Sequence, residues 1–178
     1  EPLEDLTLSA RLVEADGSEI LTYRDPVALH ANRTTPLTTL TCPIASVRGP
    51  IFFLDLALQR ADGSVAAANR YLYTLGADLA PLLHEPTTAL DVRCDAGATD
   101  WRLTITNTGR HTALFVWLED QAPLEVVGTA LFSDNHFCLF SGEARTIDAS
   151  WATVPTTEGI QVRAWNAASQ RLMRDQHR

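Results

Sequence analysis

The feature that most constrains this chain is a period-two pattern: short runs alternating apolar and polar residues recur along nearly its whole length, separated by clusters of Gly, Asp, Asn and Pro. Alternation at period two puts every second side chain on one face of an extended strand. Such runs therefore read as antiparallel strands of sandwiches or barrels. Leu6, Leu8, Ala10 and Leu12 alternate with Thr7, Ser9 and Arg11 before Asp16-Gly17 turns the chain into a run through Ile20, Thr22 and Arg24. Phe52, Leu54, Leu56 and Leu58 line one face of the next strand, Asp62-Gly63 turns, and Val65, Ala67, Asn69, Tyr71 and Tyr73 return. Both turns carry Ala-Asp-Gly-Ser, but the flanking strands do not match, so this is shared turn chemistry and not a duplication.

From Gly76 to Pro86 the alternation stops and two prolines fall close together, so residues 76–86 read as a linker. A second series begins with Leu90, Val92 and Cys94, which share a face. Trp101, Leu103 and Ile105 follow, then a turn at Asn107-Thr108-Gly109 and a return through Ala113, Phe115 and Trp117. Further strands are expected around residues 137–140, 146–151 and 160–165. About seven strands in ~90 residues suits an immunoglobulin-like sandwich. The expected fold is thus all-β, with two consecutive immunoglobulin-like antiparallel β-sandwich domains at residues 1–80 and 86–178. Antibody-type Cys and Trp spacing is missing, so the architecture is claimed and that family is not.

Charge narrows the function. The net charge is −8, and the 14 basic residues are all Arg, scattered singly. A nucleic-acid binder needs a basic stripe, so nucleic acid is not an expected partner. Complete absence of Lys beside abundant Ala and Arg points to a GC-rich, bacterial coding sequence. No run approaches the ~20 apolar residues of a membrane span, so the chain is expected to be soluble and not a membrane partner. Without an initiator Met it reads as a piece of a longer protein. Cys42, Cys94 and Cys138 fit neither a disulfide framework nor a zinc site and read as free thiols, with Cys138 pointing away from Phe137 and Leu139.

Catalytic patterns do not emerge. There is no Gly-x-Ser-x-Gly, and His84-Glu85-Pro86 begins like a zinc helix but Pro86 ends it. His30, His84, His111, His136 and His177 show no ligand spacing, and glycines sit one per turn rather than cradling a phosphate. No catalytic residue, metal ligand or cofactor is therefore assigned. Paired carboxylates could hydrolyse glycosides, with Glu119-Asp120 and Asp134 as candidates, but neighbouring residues on a strand diverge and read better as a solvated strand end. Among the aromatics, Trp101 and Trp117 share faces with Leu103 and Phe115 and read as core, and Trp151 goes with Ile147. Trp165 and Tyr73 are the two candidate sugar platforms, because exposed rings stack on apolar sugar faces.

One stretch carries a family likeness. Asn107-Thr108-Gly109, Ala113 to Val116, Ser133-Asp134-Asn135-His136-Phe137, Gly142-Glu143 and the strand from Arg145 to Ala149 together resemble the C-terminal Ig-like domain of glycoside hydrolase family 2 enzymes, in the β-mannosidase and exo-β-glucosaminidase branch. His136 stands where Tyr or Phe is usual, and Ser141 where Pro is usual. The earlier half resembles the family's penultimate sandwich through Gly49-Pro50, residues 52–58, Asp62-Gly63 and residues 69–73. The resemblance implies a parent with an upstream sugar-binding jelly roll and a TIM barrel holding both catalytic glutamates, to which no residue here corresponds. The chain would then be a non-catalytic region whose partner is the parent's catalytic barrel, in a periplasmic or secreted setting ahead of a cytoplasmic one. Asn107, Gly109, Asp134, Asn135, Phe137, Gly142 and Glu143 would be its structural motif. Two alternatives stay open: a carbohydrate-binding module for a β-linked oligosaccharide, and an adhesion or partner-binding Ig-like pair unrelated to hydrolases.

Overall fold

The computed structural model describes residues 3–76, 78–122, 129–152 and 159–173. The chain divides into two compact units, Glu1–His84 and Glu85–Arg178. The described residues are almost wholly strand and loop, with short 3-10 turns at Ile44–Ser46 and Ala80–His84. No helix among them is long and apolar enough to cross a membrane.

The first unit is one antiparallel sheet of β1 (Leu3–Glu14), β2 (Glu19–Leu29), β3 (Ile51–Gln59) and β4 (Val65–Thr74), ordered β2-β1-β3-β4. Sequence alternation predicts a two-sheet sandwich here; the described residues form one sheet. Both Asp-Gly hairpins close identically. Glu14 N–H donates to the Ser18 carbonyl (2.9 Å) and Arg60 N–H to that of Ser64 (2.8 Å). Gly17 and Gly63 have φ of +89° and +81°, the left-handed position that ends such a three-residue loop. Register places Leu8, Ala10 and Leu12 opposite Leu58, Leu56 and Leu54 on one face. Leu12, Val47 and Phe52 cluster there, with Ile20, Leu21 and Cys42 against them. The other face is mixed: Val13, Ile51 and Phe53 are buried at one end of it, and beside them Arg11 reaches Glu19 (3.0 Å) and Asp55 (2.5 Å), and Asp55 also accepts from Arg70 (2.9 Å). Cross-strand pairing sets Arg11, Asp55 and Arg70 in one row, so the carboxylate lies between two guanidinium groups.

The second unit is a sandwich of two sheets. One is ordered β5 (Leu90–Ala96), β6 (Asp100–Asn107), β10 (Ala144–Ser150), β8 (Leu131–Phe132). The other is ordered β12 (Ala167–Met173), β11 (Gly159–Ala164), β7 (Ala113–Asp120), β9 (Phe137–Leu139). Trp101, Leu103, Ile105, Val116, Leu118, Ile147, Ile160 and Val162 fill the space between them. Trp101 and Trp151 meet edge to face at 5.4 Å and 67°, the arrangement that ring quadrupoles favour.

Two sequence expectations are corrected here. Trp117 does not face the core. Register slips between Ala113 and Val116 where β7 pairs with β9, and Phe115 takes a φ of +47°. A bulge reverses the inward phase of a strand beyond it. Ala113, Leu114, Val116 and Leu118 are buried, while Phe115, Trp117 and Glu119 turn outward and stay partly exposed. Cys94, expected to lie inside, pairs with the buried Leu103 but is solvent-exposed, because β5 is an edge strand. Partial desolvation and the neighbouring Asp95 carboxylate push its thiol pKa up. All three cysteines are free thiols.

Candidate functional site

Asparagines tie the second unit together. At the end of β6, Asn107 is 0% exposed. Its side-chain amide donates to the carbonyls of His111 (2.8 Å) and Leu139 (2.9 Å). Its Oδ1 accepts from Thr88 Oγ1 (2.8 Å) and Gly109 N–H (3.1 Å). A buried amide with all four bonds made rigidifies the loops it joins. Gly109 is required by space: an added Cβ would lie 2.1 Å from Thr88 Oγ1 and 2.7 Å from Ala89 N.

The Ser133 to Phe137 stretch turns against β7. Asn135 pairs with Leu118 as a backbone unit would, accepting from its N–H (2.9 Å) and donating to its carbonyl (3.1 Å). Asp134 caps Asn135 N–H (2.8 Å) and binds Arg145 (2.6 Å). His136 has a φ of +59°, and Phe137 is buried with the Arg145 guanidinium 4.6 Å above its ring. Gly142 turns the chain at a φ of +79°, and Glu143 accepts from Phe140 N–H (2.8 Å). Asn166, not singled out by the sequence reading, makes a further clamp. Its amide donates to the carbonyls of Pro86 (2.8 Å) and Thr112 (2.9 Å), and its oxygen accepts from Leu114 N–H (2.9 Å). Nothing local distinguishes it from a solvent-facing turn residue; its partners are distant in sequence.

The carboxylates considered for glycoside hydrolysis hold the fold together. Asp120 accepts from Ala122 N–H (3.1 Å), Ala130 N–H (2.8 Å) and Trp151 Nε1 (2.7 Å). Glu119 points away from it and lies 3.1 Å from Arg163 Nε, and Asp134 is paired with Arg145 as above. Glu85 has its carboxyl pKa raised by burial, against the pull of His111. Among the described residues no group of three or more His, Cys, Asp or Glu side chains could hold a metal ion. His177 lies outside the described residues.

The two sugar-platform candidates fall in different units. On β4, Tyr73 is 45% exposed and stacks on Phe52 at 5.4 Å. Tyr71, two residues before it, is also exposed, and its hydroxyl accepts from Asn69 (2.7 Å). Trp165 is 51% exposed between the buried Ala164 and Asn166, and its backbone N–H donates to the Leu114 carbonyl (2.8 Å). Burial alternates along β11, so Gln161, Arg163 and Trp165 turn outward beside the outward residues of β7. Pairing sets Arg163 opposite Trp117 and Gln161 opposite Glu119. The Arg163 guanidinium stands 6.0 Å from the Trp117 ring centre and donates to Gln161 (2.8 Å).

The fold and this site define an all-β, Ig-like sandwich. The chain belongs to the exo-β-D-glucosaminidase Ig-fold domain family, which matches residues 70–167. The exo-chitosanase of Amycolatopsis orientalis shares the fold at a TM-score of 0.81 and 18% identity, over 98% of this chain and 24% of that one. The β-D-mannosidase of Dictyoglomus thermophilum shares it at a TM-score of 0.51 and 12% identity, over 92% and 19% respectively. The chain thus spans about a quarter or less of these enzymes' lengths. A search of curated protein sequences finds no match.

Proposed function

We propose that this chain is the non-catalytic Ig-like region of a family 2 glycoside hydrolase of the exo-β-glucosaminidase and β-mannosidase type, in which it buttresses a catalytic barrel and shapes its substrate entrance. The family match over residues 70–167 carries this reading. The use of Glu119, Asp120 and Asp134 within the fold supports it, since acid-base hydrolysis needs two carboxyl groups free to meet one sugar. Two consecutive Ig-like domains, residues 1–80 and 86–178 with a 76–86 linker, are part of the proposal. The first unit's sheet, with buried apolar residues on both faces, is read as one layer of such a domain. A periplasmic or secreted setting suits an enzyme acting on polymeric sugar.

Hydrolysis of p-nitrophenyl β-D-glucosaminide and β-D-mannoside tests the proposal, measured for this chain and for the full protein its natural gene encodes. The chain is expected to be inert and the full protein active, with activity lost when these two units are deleted. Hydrolysis by the chain itself, or a gene encoding no barrel, would falsify the reading.

A further inference from the structure

We infer that a pocket on the Arg11 face of the first unit's sheet binds a small organic carboxylate, held by Arg24, Ser9 and Gln59. The inference concerns binding by this unit alone and does not rest on the accessory role. The pocket has a volume of about 270 Å³. It exists because two short side chains, Ser9 and Ala57, pair across β1 and β3 among the longer Arg11, Arg24, Asp55 and Gln59.

Three polar groups in its lining are uncommitted. Ser9 is only 8% exposed, yet its hydroxyl makes no hydrogen bond among the described residues. A buried hydroxyl is ordinarily bonded. Period two puts Ser9 on the same face as Arg11, so this hydroxyl opens into the pocket. Arg24 lies directly opposite Ser9 on β2, and its guanidinium forms neither a hydrogen bond nor an ion pair among the described residues. Gln59 stands two residues beyond Ala57, a diagonal neighbour of Ser9, and its amide is likewise unbonded there. The other charged groups of the pocket are already engaged. Arg11 holds Glu19 and Asp55, Arg70 holds Asp55 from β4, and Thr22 donates to Glu19 (2.9 Å).

A planar fork, a hydroxyl and an amide together supply donors to the two oxygens of a carboxylate, the group that a guanidinium fork matches best. Charge limits the ligand to a monoanion. Arg11, Arg24 and Arg70 face Glu19 and Asp55, which leaves one positive charge in this row. A phosphate dianion would bring a second negative charge against those two carboxylates. A cation would find both carboxylates taken, and the lining holds no aromatic ring on which a sugar could stack.

Titration of the isotope-labelled chain with sodium acetate, N-acetylglycine and inorganic phosphate, followed by amide NMR shifts at constant ionic strength, tests this. Saturable shifts centred on Ser9, Arg24 and Gln59 are expected with the carboxylates, at millimolar affinity, about −4 kcal/mol. Arg24→Gln should weaken binding more than about tenfold, because a charge-assisted bond is lost. Ser9→Ala should weaken it about threefold to tenfold at an unchanged melting temperature, since the hydroxyl bonds nothing in the fold. Arg93→Gln, in the other unit, should leave it unchanged. Equal binding of acetate and N-acetylglycine supports a site for small acids at large, whereas preference for N-acetylglycine supports one that also reads an adjoining amide, as a peptide C-terminus carries. Phosphate binding as tightly as either carboxylate overturns the assignment. Absence of saturable shifts at this pocket, or binding that survives Arg24→Gln intact, overturns it as well. None of these outcomes bears on the hydrolysis test of the accessory role.

Discussion

Replacing Asn107 by Ala should destabilise the second unit more than any surface change there. The substitution removes four hydrogen bonds at a site with no solvent exposure. The consequences for the partners differ. Thr88 can rotate its hydroxyl, and Gly109 N–H keeps a second acceptor in the Ala89 carbonyl at 3.2 Å. The His111 carbonyl lies near the surface, where water can replace the amide. The Leu139 carbonyl is buried, so it loses a bond that nothing replaces, at about 1–3 kcal/mol. With about 1 kcal/mol for each of the remaining bonds, partly recovered, the total is roughly 3–4 kcal/mol. That is a large share of the ~5–10 kcal/mol stability of a domain this size. At ~4–8 °C per kcal/mol, the melting transition should fall by about 15–25 °C.

Calorimetry or tryptophan fluorescence would measure the shift, with Trp101 and Trp151 reporting on the core. Asn107→Asp sharpens the test. A carboxylate can still accept from Thr88 and Gly109 but cannot donate to two carbonyls, and its charge faces their oxygens. Its pKa would be raised in the folded state, so the variant should gain stability as pH falls and protonation restores a donor. A fall of less than ~3 °C for Asn107→Ala, under about 1 kcal/mol, would refute the argument that this amide fastens the loops to the sheet.

Asp55→Asn should cost the first unit about 1–3 kcal/mol in urea melts, because Arg11 and Arg70 lose their shared counter-charge in a half-buried row. Desolvation pushes the Asp55 pKa up, but hydrogen bonds from Arg70 and Arg11 outweigh it and the net shift is down. A depressed folded pKa stabilises above the unfolded value and loses that contribution as pH falls through the folded one. The wild-type chain should therefore lose stability in acid more steeply than Asp55→Asn. Gly109→Ala should cost at least ~2 kcal/mol by chemical denaturation, since its Cβ meets backbone as well as Thr88. Gly142→Ala, with open space but positive φ, should cost only about 1 kcal/mol. Cys94 should alkylate more slowly than a free cysteine peptide at mildly alkaline pH, and Asp95→Asn should speed it, as followed by mass spectrometry.

Local chemistry made much of this fold legible. Alternating Leu6 to Leu12 and Trp101 to Ile105 announced strands, because period two is a property of the extended backbone itself. Asp16-Gly17, Asp62-Gly63 and Gly142 announced turns, because glycine alone enters the left-handed region without strain. Other features depended on partners far along the chain. Strand β12 escaped the sequence reading because Ala167-Ala168-Ser169-Gln170 shows no apolar alternation and is held by pairing to β11. The direction of Trp117 depended on the bulge at Phe115, and the exposure of Cys94 on its place at a sheet edge. The roles of Asn107 and Asn166 lay in carbonyls that only the folded chain brings to them. Sequence by itself determined that the chain would form strands and where it would turn, since both follow from each residue's own backbone preferences. Tertiary structure decided which faces are covered, where the phase slips and which polar groups meet, because those are set by long-range pairing and burial.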